Sequence, residues 1–207
     1  MGIEAERLVA QGRTRVGEVL GTRPDTIVFT SGGTEANNLA IRGALSDLID
    51  KGGDGHIITT AIEHASVGRV FDWLKTKGLD VTRLTVDRSG VIDPEELKQA
   101  LRPETKLVSI MHVNNEPGSV QPLADIGAVL KDGPNRPILH VDAVQSFGKY
   151  PFNPVKWGVD LASISAHKIH GPKGVGALYV RKGLNLTPQS LGGGHERGIR
   201  SGTSNVP

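Results

Sequence analysis

The stretch VDLASISAHKIHGPKGVGALYV, residues 159–180, decides the fold. An apolar run over 161–166 leads to a lysine, Lys168, set between His167 and His170. The breakers Gly171, Pro172 and Gly174 follow, and a second apolar run over 175–180 closes the stretch. Short apolar runs bounded by turn residues predict two strands joined by a loop. In an open α/β sheet, ligands gather beyond the carboxyl ends of strands. Lys168 falls at such an end, where its amine can form a Schiff base with a carbonyl group.

Taken alone, a lysine is a solvated surface charge. Its company changes the reading. The segment PILHVDAVQ, residues 137–145, is another apolar run and carries Asp142 near its end. An aspartate there asks for a cation. A lysine for an aldehyde and a carboxylate for a pyridinium nitrogen are the pair that pyridoxal phosphate requires.

Working outward, TIVFT (26–30) reads as a strand, and Ser31, Gly32, Gly33 and Thr34 lead from it into a helix over 35–50. A strand, a glycine pair, a hydroxyl and a helix start favour an anion, because free N–H groups and the positive helix end both face it. An ordinary N-cap with a glycine turn uses the same residues. Neither a Gly-Lys-Ser/Thr phosphate loop nor GxGxxG is present here. HIITT (56–60) is the next strand, and His64 follows it as an acid/base group, a ring over a planar cofactor, or a plain helix-start histidine. KLVSIMH (106–112) is a buried-type strand followed by the loop VNNEPG (113–118), where Asn115 either bonds a ligand or makes an Asx-turn.

Helices are predicted over 2–20, 66–77 and 123–131, and from the Asp93-Pro94-Glu95-Glu96 start; 79–86 reads as a further strand. The first helix is expected to bury Ala5, Leu8, Val9, Gly12, Val16, Val19 and Leu20 as one face. Strands alternating with helices predict an α/β fold, a three-layer αβα sandwich with a mostly parallel sheet. Every candidate ligand falls after a strand. His140, Asp142, His167 and His170 offer metal donors, but not at the helical i, i+4 spacing of a zinc site, so no metal is expected.

The 207 residues carry 24 Lys+Arg against 22 Asp+Glu, a balance that argues against nucleic acid or an anionic membrane as the main partner. No apolar run is long enough to span a bilayer and Met1 opens no secretory signal, so a cytoplasmic location is expected. There is no cysteine, which removes disulfides, thiolate metal sites and a cysteine nucleophile from these residues.

The segments TSGGTEANN, IEHASV, MHVNNEPG, HVDAVQS, SAHKIHGPKG and GGGHERGIRSGT resemble, in order and spacing, the cysteine desulfurases. These belong to the class V aminotransferase group of fold-type I pyridoxal-phosphate enzymes. The resemblance implies that Lys168 holds the cofactor aldehyde and Asp142 the pyridinium nitrogen. It implies that Gln145 and Asn115 bond near the phenolic oxygen and substrate, and that His64 stacks on the ring. Thr34, Ser165 and His167, with the Gly33 backbone, would hold the phosphate. Thr203 would reach the phosphate of the neighbouring subunit in a homodimer.

The implied reaction converts L-cysteine to L-alanine and passes sulfur to a persulfide, with a sulfur-acceptor or scaffold protein as partner and iron–sulfur cluster assembly as the setting. The family's persulfide cysteine lies beyond RSGT. Residues 1–207 are therefore read as a cofactor-binding large domain. The carboxyl-terminal small domain and the amino-terminal arm are expected to be absent from it, and turnover by this domain alone is not expected. The competing readings are a selenocysteine lyase or aminotransferase of the same group, and a non-catalytic cofactor-binding or dimerisation module.

Overall fold

The computed structural model describes residues 2–132 and 135–206; Met1, Gly133, Pro134 and Pro207 lie outside them. The strands are β1 (Ile27–Thr30), β2 (His56–Thr60), β3 (Asp80–Leu84), β4 (Thr105–Met111), β5 (Ile138–Asp142), β6 (Leu161–Ser165) and β7 (Gly176–Val180). They form one sheet in the order β1-β7-β6-β5-β4-β2-β3. Only β7 runs against its neighbours, β1 and β6; the pairs from β3 through β6 are parallel. The carboxyl ends of β1, β2, β4, β5 and β6 therefore share one edge.

The helices are α1 (Ile3–Leu20), α2 (Gly33–Asp50), α3 (Ala65–Thr76), α4 (Pro94–Ala100) and α5 (Leu123–Asp132). Successive strand side chains point to opposite faces, and the core divides accordingly. Ile58, Val108 and Ala162 pack with Leu20 of α1, Leu97 of α4 and Ile126 of α5. Their chain neighbours Ile57, Leu107 and Leu161 face α2 and α3, against Ile41, Leu45, Phe71 and Leu39. These are the three layers the alternation predicts.

Two boundaries and one helix face differ from expectation. Strand β3 is shorter than 79–86, because the neighbour β2 pairs with it only from Asp80 to Leu84. Helix α2 begins at Gly33, two residues early, because Gly32 takes φ 154° and the Glu35 carboxylate accepts the Ser31 N–H at 2.6 Å. The predicted face of α1 is only partly covered. Gly17 and Leu20 are buried, whereas Leu8 and Val19 remain 48% and 57% exposed, since the neighbouring elements cover only part of the apolar stripe.

Candidate active site

A cavity of about 260 Å³ opens at the shared carboxyl edge of the sheet. Its wall includes Gly33, Thr34, His64, Asn115, Asp142, Gln145, Ser165, His167 and Lys168, which are nine of the ten residues singled out from sequence. Lys168 sits on the single 3-10 turn (Ala166–Ile169) that follows β6. The turn closes through His170, held at φ 63°, and through the Gly171 N–H donating to the Ala166 carbonyl at 2.9 Å. A side chain on Gly171 would meet Ala166 at 2.9 Å, so the breaker after Lys168 is a packing requirement as well as a turn signal.

Asp142 ends β5 and is 5% exposed. Its Oδ1 accepts the Val144 N–H at 3.0 Å and its Oδ2 accepts from Asn37 Nδ2 at 2.8 Å. Burial pushes the carboxyl above the usual carboxylate range, and these two donors only partly oppose it. A buried carboxylate with no cation of its own is costly, so the site is electrostatically prepared for a positive ligand.

His64 caps α3: its Nδ1 accepts the Ser66 N–H at 3.1 Å. The ring is both a helix cap and a cavity wall. Asn115 is exposed in the loop after β4. The Asx-turn falls to its neighbour, since Asn114 Oδ1 accepts the Glu116 N–H at 2.8 Å. Asn115 is left to face the cavity.

Gly33, Thr34, Ser165 and His167 line this cavity and also a shallow depression beside it that includes Lys173. They form the common lip. Ser165 Oγ and His167 Nδ1 lie 2.8 Å apart. The N–H groups of the first turn of α2 have no partner inside the helix. A side chain at Gly33 would come within 2.7 Å of Val144 Cγ2, so only glycine brings this backbone so close to the β5 loop.

Thr203 stands apart. It lines a second cavity of about 370 Å³ with Phe29, Ser31, Pro172 and Arg200, and does not reach the first. The tail carrying it is anchored by Glu196, which pairs with Arg13 through two 2.7 Å bonds and accepts the Phe29 N–H at 2.9 Å. Arg200 adds a bond to Glu35 at 2.7 Å.

Sequence reading missed several neighbours. Asn37, Ser66, Met111 and Val144 also line the cavity. Asn37 lies three residues past Thr34 on one helix, and that spacing is the signal that could have found it. Glu63 is the other omission. Its Oε1 accepts from Thr60 Oγ1 and from the Met111 N–H, both at 2.8 Å, while Oε2 is buried without a partner. Burial pushes this acid up to about 8. The histidine and aspartate donors weighed for a metal do not form a metal-binding group among the described residues. His140 is instead buried between Ser109 Oγ at 2.8 Å and Ser163 Oγ at 3.1 Å, and burial lowers it to about 3.

The donor set fits pyridoxal phosphate. A lysine amine, a buried carboxylate without a cation, a ring wall, and a lip of hydroxyls and free N–H groups meet in one cavity.

The aminotransferase class-V family model matches residues 1–206. The cysteine desulfurase IscS of Dictyoglomus turgidum is 46% identical over 205 residues, covering 99% of this chain and 51% of that protein. The mitosomal cysteine desulfurase of Trachipleistophora hominis is 49% identical, covering 100% of this chain and 47% of its own length. The chain thus spans about half the length of the curated relatives it matches. Among solved structures, a NifS-like protein superposes with TM-score 0.94 at 45% identity, over 99% of this chain and 56% of that one. SspA in complex with cysteine gives 0.93 at 43% identity, over 98% and 58%. The chain belongs to the aminotransferase class-V family.

Proposed function

We propose that these residues are the cofactor-binding large domain of a pyridoxal-phosphate-dependent cysteine desulfurase. The observation that carries the reading is the meeting of Lys168, Asp142 and the Gly33–Thr34–Ser165–His167 lip in one cavity. The similarity to proteins named cysteine desulfurases favours this branch over the other class-V reactions. The solved complex of SspA with cysteine supports L-cysteine as the substrate.

When bound, the protonated pyridine ring supplies an electron sink that weakens bonds at the substrate's α-carbon. Lys168 Nζ would hold the aldehyde carbon. Asp142 keeps a proton at the ring nitrogen by charge pairing, which also relieves its own burial. His64, in the cavity wall, would lie against the bound ring and move protons. Asn115 and Gln145 orient the phenolic oxygen and substrate. Thr34, Ser165, His167 and the Gly33 N–H hold the phosphate. A persulfide-forming step needs a thiolate, since the neutral thiol is a poor nucleophile. These 207 residues contain no cysteine to supply one.

The same reading includes a homodimer, with Thr203 serving the partner's phosphate, a sulfur-acceptor protein and a cytoplasmic location. Thr203 lies in an anchored tail outside the first cavity, which suits a role across an interface. Titration with pyridoxal phosphate tests the core of the proposal. A protein-bound visible band that L-cysteine perturbs, and that Lys168→Ala abolishes, is expected. A cofactor spectrum unchanged by the protein overturns it.

A further inference from the structure

Asn37 and Ser66 join Asp142 to His64 by an unbroken chain of hydrogen bonds. Asn37 Nδ2 lies 2.8 Å from Asp142 Oδ2 and 2.8 Å from Ser66 Oγ. Ser66 Oγ lies 2.8 Å from His64 Nδ1, and the Ser66 N–H donates to the same nitrogen at 3.1 Å. Asn37 and Ser66 are buried, at 1% and 9% exposure.

The direction of each bond follows from what each group can do. Asn37 Nδ2 faces Asp142 Oδ2, and an amide nitrogen only donates, so Asp142 accepts. The second amide hydrogen then points to Ser66 Oγ. A hydroxyl has one proton and two lone pairs. Because the Ser66 N–H already makes His64 Nδ1 an acceptor, the hydroxyl proton is the one directed to Nδ1, and a lone pair is left for Asn37. Nδ1 has one lone pair and faces two donors, the hydroxyl and the Ser66 N–H. It has no room for a proton of its own.

We propose that Asn37 and Ser66 are positioning residues that relay the charge of Asp142 to His64 and confine the proton of its neutral ring to Nε2. Nε2 is then the only ring nitrogen through which His64 exchanges protons with a ligand in the cavity. That consequence rests on the functional reading above; the tautomer itself rests only on bonds within the chain. The same carboxylate that pairs with the ring nitrogen thereby also sets which atom of the covering histidine is active.

The test needs no cofactor and no turnover. Long-range proton–nitrogen correlation spectra of the histidine-labelled protein, recorded above the ordinary imidazole range, report the tautomer of His64 directly. In the unsubstituted protein Nε2 is expected at the shift of a protonated ring nitrogen and Nδ1 at that of an unprotonated one. In Asn37→Leu and in Ser66→Ala the two shifts are expected to move toward each other, as the second tautomer becomes populated. The remaining histidine signals show whether each variant is folded. A protonated Nδ1 in the unsubstituted protein overturns the proposal whatever the variants do. Unchanged shifts in both folded variants show that the Ser66 N–H alone fixes the ring, and overturn the relay. Failure of pyridoxal phosphate to bind would instead count against the functional reading and leave these shifts as they are.

Discussion

Asp142, at the end of β5, and Asp160, just before β6, are both buried, yet only Asp160 has its cations: Arg136 at 3.1 Å and Arg181 at 2.5 Å. Asp160 also accepts the Leu139 N–H at 2.8 Å and so ties two strands together. Asp142 has amide donors but no salt-bridge cation among the described residues. The two substitutions are therefore expected to fail differently. Asp160→Ala leaves the buried Leu139 N–H without its acceptor and should cost about 1–3 kcal/mol of stability; its two arginines are 38% and 45% exposed and return to water. Asp142→Ala should leave stability nearer to wild type and weaken pyridoxal phosphate binding. Denaturant unfolding and a cofactor titration on each variant separate the effects. Equal loss of cofactor affinity in both would contradict the assignment.

Glu63 gives a pH dependence with a definite sign. Burial raises its carboxyl from 4.5 to about 8. Below the lower value both folded and unfolded chains hold the proton, and the full stability is present. Between the two values the unfolded chain ionises while the folded one does not. Stability is then lost at up to ~1.4 kcal/mol per pH unit, and the loss is complete above the upper value. Glu63→Gln keeps an acceptor for Thr60 and Met111 and removes the titration. Its stability relative to wild type should therefore rise with pH across that window. A difference that stays flat would show that Glu63 is ionised in the folded protein.

Gly33→Ala should strain the phosphate lip, because the new Cβ meets Val144 Cγ2 at 2.7 Å. Overpacking of this kind costs about 1–3 kcal/mol. Val144→Ala removes the opposing methyl groups, so the double variant should recover most of the loss. Additive costs in the double-mutant cycle would place the strain elsewhere.

The layered fold and most of the site were legible because they rest on local signals. Apolar runs of strand length, glycine and proline breaks, and caps such as Asp93 on the Glu95 N–H recur where the chain turns. A parallel sheet then brings the strand ends together, so residues as distant as Gly33, Asn115 and Lys168 share a cavity. What sequence did not reveal depends on pairing in space. Asn37 bonds Asp142 across 105 positions, and Glu196 bonds Arg13 across 183. No periodicity encodes such contacts. The exposure of Leu8 and Val19 is a miss of the same kind, since an apolar stripe does not say how much of a helix its neighbours cover.

The lack of cysteine makes a prediction about turnover. Given L-cysteine and pyridoxal phosphate, with no thiol-bearing protein added, the 207-residue chain should release less alanine than the protein present. Sustained alanine release that Lys168→Ala abolishes would show that sulfur leaves without a thiolate from another segment.

The central claim is that Lys168 holds the cofactor at the carboxyl edge of the sheet. Borohydride reduction in the presence of pyridoxal phosphate, followed by peptide mapping, tests it most directly. The account predicts a single dominant adduct on Lys168, absent from Lys168→Ala. An adduct on Lys173, or one spread over surface lysines and formed equally well by Lys168→Ala, would contradict it.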